Sequence, residues 1–115
     1  MSKTLLSGVF ALLLTGSAAY AQDAVKVSLK DGDLGFKDLT IKGETRFDIE
    51  NAGKHDHALE IEGDIGGKEF SVASRVLKPG QRSVFIVKLP EGTYDAYCPV
   101  DEHREKGMAG KITAR

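Results

Sequence analysis

Cysteine is almost missing from this chain. There is one, Cys98, in 115 residues. A lone Cys excludes an intramolecular disulfide, a thiolate-only zinc site and an iron–sulfur cluster, all of which need several thiolates. Tryptophan is absent, and there are only two Met and three His. The formal net charge is −1, which argues against a general nucleic-acid binder with its basic surface. Proline is scarce at 3 residues, Gly stands at 13, and apolar residues make up 41 %. That composition fits neither a collagen-like nor a wholly disordered chain. The length allows one domain, and no repeat or low-complexity tract divides it.

Long apolar runs are also few, and the one that stands out is at the front. Residues 1–21 read MSKTLLSGVFALLLTGSAAYA. Lys3 supplies a positive start, Leu5 to Leu14 form an apolar stretch, and Ala19-Tyr20-Ala21 is a small-x-small cleavage site. This is the pattern of a secretory signal peptide, and the run is short for a membrane span. The expectation is export to the periplasm, cleavage after Ala21 and a single domain over residues 22–115, with no membrane span left. The processed chain keeps one Met, Met108, and the three His, His55, His57 and His103. In an oxidising compartment an idle unpaired Cys is a liability, so Cys98 should serve in intermolecular pairing, as a reactive thiol or as a metal ligand.

What remains reads as strands. Val25–Leu29, Arg46–Glu50 and Ala58–Glu62 alternate polar and apolar residues at period two. Ser83–Leu89 (SVFIVKL) is nearly continuous and suits a strand buried on both faces. Thr93–Cys98 and Lys111–Ala114 follow. Asp31-Gly32, Lys42-Gly43, Asn51-Ala52-Gly53, Gly66-Gly67, Pro79-Gly80 and Pro90-Glu91-Gly92 punctuate them as turns. Strands every eight to twelve residues predict an all-β sandwich or barrel. Asp64 to Leu77 is less regular and reads as a short helix or a loop crossing.

The unusual side chains fall at strand ends. His57 shares parity with Leu59 and Ile61, so it should point inward. Cys98 shares parity with Tyr94 and Ala96. After it the chain runs CPVDEHREKGMAGK, placing Cys98, His103 and Met108 on one loop. Two imidazoles, one thiolate and a weak thioether form the ligand set of a blue-copper electron-transfer site. The loop supplies three of these donors; His57 joins them only if the two strands end at the same pole. His55 lies two residues before His57 and competes with it as a ligand, although Lys54 and Asp56 beside it read as exposed loop.

These residues give the chain a resemblance to a known family. Asn51-x-Gly53 leading to His57-x-Leu59-x-Ile61, Gly92-Thr93-Tyr94, Tyr97-Cys98-Pro99, His103 and Gly107-Met108-x-Gly110 resemble a small bacterial cupredoxin of the plastocyanin and azurin superfamily. The resemblance implies a Greek-key β-sandwich of seven to eight strands. It implies one copper ion, cycling between Cu(I) and Cu(II), held by His57, Cys98, His103 and Met108. It implies a non-enzymatic, monomeric electron carrier whose partners are redox proteins, a cytochrome, oxidase or reductase. Three departures stand out. The rim near His103 is charged, with Arg104, Glu105 and Lys106, where many carriers expose an apolar patch. Asp101-Glu102 occupies the place where many relatives have Pro-Gly, and Ala58 follows His57 where Asn is frequent. The alternative in another class is a periplasmic copper-trafficking protein. A catalytic Cys–His pair leaves Met108 unexplained, and an immunoglobulin-type sandwich lacks its second Cys and its Trp.

Overall fold

The computed structural model describes residues 23–115. The signal-peptide reading of residues 1–21 lies outside the described residues. Among the described residues all regular structure is β: β1 Asp23–Leu29, β2 Asp38–Ile41, β3 Glu44–Asn51, β4 Glu60–Ile65, β5 Lys68–Ala73, β6 Arg82–Lys88, β7 Gly92–Tyr97 and β8 Ala109–Ala114. They form two sheets, one in the order β1-β3-β6 and one in the order β2-β8-β7-β4-β5. This is the expected all-β sandwich, with eight strands. No helix of the described residues is long and apolar enough to cross a membrane.

Alternation builds the core. In β3, Thr45, Phe47, Ile49 and Asn51 are buried while Glu44 and Arg46 face out. Facing them across the sandwich, β4, β7 and β8 contribute Ile61, Tyr94, Ala96 and Ile112. Phe47 and Phe85 sit side by side, with ring centroids 5.3 Å apart. Burial of this one continuous cluster holds the sheets together, since apolar area removed from water is the dominant favourable term in folding.

Two expectations fail. The stretch from Asp64 to Leu77 contains no helix; β4 and β5 form a hairpin through Gly66-Gly67. Both glycines have positive φ, 61° and 82°, the requirement of a tight two-residue hairpin turn. The second failure is β6, which is not buried on both faces. It pairs only with β3, at the edge of its sheet, and exposes Val84 and Ile86 by about half. The continuous apolar run hid an alternation between a half-buried and a solvent-facing row. Its neighbours on the outer row of β3 are Arg46 and Asp48.

Topology gathers the special residues at one pole. β1 and β3 run parallel and end together, Leu29 opposite Asn51. The end of β7 meets the starts of β4 and β8, with Tyr97 paired to both Glu60 and Ala109. Ala52 N donates to Leu29 O at 2.8 Å, tying the ends of β1 and β3 at that pole.

Candidate metal centre

Each donor has its own positioning device. His57 lies just before β4, in a two-way backbone bridge with Leu77: His57 N to Leu77 O at 3.0 Å and Leu77 N to His57 O at 2.7 Å. Its side chain is fully buried, as strand parity predicts. Buried Asn51 braces the preceding loop. Its Nδ2 donates to His55 O and Leu77 O, and its Oδ1 accepts from Gly53 N, all at 2.8 Å. Cys98 follows the last residue of β7, fully buried and unpaired. Its N–H donates to Met108 O at 3.1 Å, closing the loop between them.

That loop is a series of tight turns stapled by its own backbone. His103 N donates to Val100 O at 2.8 Å, and Met108 N donates to His103 O at 3.0 Å. These bonds fasten the loop without an Asn after His57, where Ala58 is simply buried. Asp101 and Glu102 hold positive φ, 45° and 61°. Left-handed backbone at two successive non-glycine residues costs roughly 1–2 kcal/mol each. Arg104 folds back from the loop, its guanidinium 4.0 Å above the Tyr97 ring and 3.6 Å from Glu62.

The side chains converge. His57 Nδ1 lies 3.1 Å from His103 Nδ1, and Cys98 Sγ lies 3.7 Å and 3.5 Å from these two nitrogens. A point equidistant from all three atoms is about 2.0 Å from each, within the range of zinc–nitrogen bonds and short of the zinc–sulfur length near 2.3 Å, so the spacing is of metal-site size. His57 Nε2 is 2.8 Å from Asp31 Oδ1. A carboxylate can only accept, so Nε2 carries the proton and Nδ1 turns a lone pair toward the other donors. Burial, and then the neighbouring His57, hold the His103 imidazole below its usual pKa, which favours the neutral form that can ligate. Two ring nitrogens and a sulfur facing one another at such distances suit a shared cation. Met108 is fully buried at the end of the same loop, the place for a weak thioether ligand.

Among the described residues, His57, Cys98 and His103 are the one group of three or more His, Cys, Asp or Glu whose donor atoms cluster within 4.8 Å. His55, Asp101 and Glu102 are not in it. The His55 side chain is 70 % exposed, so inward-pointing His57, not His55, joins the cluster. Asp101 lines the shallow mouth of the site with Asp31, Gly32, His55, His103 and Lys106.

Sequence reading missed Asp31. It counted only as half of an Asp-Gly turn, and nothing local links it to His57, 26 positions away. In the fold its carboxylate accepts from His57, from Lys54 N at 3.1 Å, from His55 N at 3.3 Å, and pairs with His55 Nδ1 at 3.2 Å. The hydrogen bond from His57, the largest influence, holds the Asp31 carboxyl far below the usual carboxylate range.

A two-sheet sandwich with His, Cys, His and Met at one pole is the architecture of a type 1 copper domain. The chain belongs to the cupredoxin-like domain family, whose sequence model matches residues 3–114. Its fold is similar to auracyanin from Roseiflexus castenholzii, with a TM-score of 0.71 at 16 % identity over 83 % of this chain and 98 % of that one. It is similar to a purple cupredoxin from Nitrosopumilus maritimus, with a TM-score of 0.55 at 24 % identity over 79 % and 99 % of the two chains. A reduced amicyanin variant gives a TM-score of 0.61 at 20 % identity over 80 % and 82 %. At these identities the likeness concerns the fold. A search of curated proteins found no match. Copper is the cofactor of this domain, and the donor chemistry fits it: a thiolate and a thioether suit Cu(I), and imidazoles suit both oxidation states.

Proposed function

We propose that this protein is an exported, periplasmic carrier of single electrons between redox proteins, with copper held by His57, Cys98, His103 and Met108. The observation that carries this reading is the convergence of one sulfur and two imidazole nitrogens within 3.1–3.7 Å of one another. Copper, when bound, supplies a one-electron couple. The protein's part is to hold the donors still and dry. His57 and Cys98 are fully buried and anchored through backbone bonds to Leu77 and Met108. Ligands that cannot rearrange keep the geometry similar in both oxidation states. His103 is the partly exposed donor at the site's mouth, so its ring edge is the contact for a partner protein. Charged Asp31, Asp101 and Lys106 line the same mouth, which favours electrostatic docking and salt-dependent association rates. A donor set of this kind serves electron transfer, so the reading is of a carrier and not an enzyme. Residues 1–21 act as the export signal, and residues 22–115 work as a monomer.

Copper delivery or sequestration is the competing role. Absorption and electron spin resonance spectra of the Cu(II)-loaded protein separate the two. An intense visible sulfur-to-copper band with narrow copper hyperfine splitting is expected of the carrier. A weak band with ordinary splitting would instead indicate trafficking. Cys98→Ser should abolish the band while leaving the sandwich folded; a band that survives excludes Cys98 as its source.

A further inference from the structure

We infer that Asp31 is a positioning residue of the copper centre, orienting His57 and biasing the site toward the more highly charged metal. This rests on the proposed copper reading and names a residue outside the ligand set. The first support is geometric. Asp31 Oδ1 and His57 Nε2 are 2.8 Å apart, with the His57 side chain fully buried. A carboxylate on the far ring nitrogen selects the tautomer that presents Nδ1, fixes the ring plane and raises the basicity of the donor.

The second support is that the carboxylate is itself held. Lys54 N reaches both oxygens at 3.1 Å, and His55 N reaches Oδ1 at 3.3 Å. His55 Nδ1 lies on Oδ2 at 3.2 Å. The turn after β1 is thus clamped to the loop that delivers His57. The third support is Gly53. A Cβ there would stand 2.4 Å from Asp31 Oδ1 and 3.0 Å from both Asp31 N and His57 Nε2. Gly53 does not have positive φ, so its lack of a side chain answers to space, and the nearest atom in that space is the carboxylate oxygen of this hydrogen-bonded pair, with the Asp31 backbone beside it.

The electrostatic consequence follows from placement. One imidazole ring separates the carboxylate from the donor nitrogen. The two oxidation states of copper differ by one positive charge, and a fixed negative charge stabilises the higher one. Asp31 is 38 % exposed, so solvent screens part of this. An effect of about tenfold on the ratio of Cu(II) to Cu(I) affinity is expected, equivalent to 59 mV for a one-electron couple.

Three variants test it. Asp31→Asn keeps an acceptor oxygen for His57 and removes the charge. It should keep the visible band and raise the reduction potential by the amount above. Asp31→Ala removes the acceptor as well and should cost about 10–100-fold in copper affinity. In the metal-free protein, nitrogen-15 NMR of His57 should show Nε2 protonated in the wild type and a mixture of tautomers in Asp31→Ala. Gly53→Ala leaves the charge in place but pushes the carboxylate off Nε2. It should reproduce the tautomer mixture, which covers the case of a poorly folding Asp31→Ala. A purely structural Asp31 would change the melting temperature of the metal-free protein and leave potential and tautomer alone; that result overturns the inference. An unchanged potential in Asp31→Asn overturns the electrostatic half. A wild type that takes up no copper overturns the functional reading instead, while the tautomer measurement still tests Asp31.

Discussion

Replacing Asn51 by Ala removes three hydrogen bonds at the pole that carries the donors. The side chain is fully buried. It donates to His55 O and Leu77 O and accepts from Gly53 N, each at 2.8 Å. A typical intramolecular hydrogen bond contributes about 1 kcal/mol net, and more when its loss strands a buried partner. Leu77 O keeps a second donor, His57 N, so that bond lies at the low end. The carbonyl of His55 and the N–H of Gly53 are only partly buried, so water can replace part of what they lose and each lies near the typical value. The sum is roughly 2–4 kcal/mol, and at roughly 4–8 °C per kcal/mol for a domain this size the melting temperature should drop by more than about 8 °C. Urea unfolding of the metal-free protein measures it, so that copper binding does not mask the change. Asn51→Asp is the discriminating partner. A carboxylate still accepts from Gly53 N but turns an acceptor oxygen toward two carbonyls. It should be at least as destabilising as Ala despite its near-identical shape. A loss below about 1 kcal/mol for Ala, or an Asp variant as stable as wild type, would refute the account of how this loop is braced.

His57→Ala should lose tight copper binding, whereas His55→Ala should retain it; equal losses in a Cu(II) titration would sink the choice between the two histidines. Glu102→Gly should relieve a φ of 61°. That relief, about 1–2 kcal/mol, exceeds the roughly 0.5–1 kcal/mol of added chain entropy, so unfolding midpoints should rise slightly. A clear fall would show the left-handed residue to be unstrained. Tyr94→Phe should cost about 1 kcal/mol at neutral pH by removing the hydroxyl bond to Pro90 O at 2.7 Å. Burial raises the Tyr94 pKa above 10.0. Its contribution is therefore complete below pH 10 and is lost as pH rises through the elevated folded value, so the Phe variant should flatten that alkaline decline. Stability curves from about pH 8 to 12 that stay parallel would contradict this.

Much of the site was legible because its chemistry resides in residue types that strands and turns do not require. Cys98, His103 and Met108 stand on one loop, and period-two parity turned His57 inward toward the same interior as Leu59 and Ile61. Parity also explains why His55 needed the fold to rule it out. It shares the side of His57 only if the strand reaches back that far, and the chain there is loop. The run SVFIVKL misled for a related reason. Whether an apolar row is covered depends on what lies beside it, and β6 has a neighbour on one edge alone. Gly66-Gly67 was read as a turn, yet the strand on its far side was missed, because Lys68–Ala73 is largely exposed and its polar residues carry little signal.

The sequence by itself determined the strand-rich class, the donor types and the loop that carries three of them. Period-two alternation and the ligand preferences of copper are local or chemical facts, readable along the chain. Tertiary structure alone decided that His57 meets that loop, with donor atoms 3.1–3.7 Å apart, because only parallel pairing of β1 with β3 and the meeting of β4, β7 and β8 bring those ends to one pole. It alone joined Asp31 to His57 across 26 positions. A hydrogen bond depends on angstroms in space, and separation along the chain does not encode it.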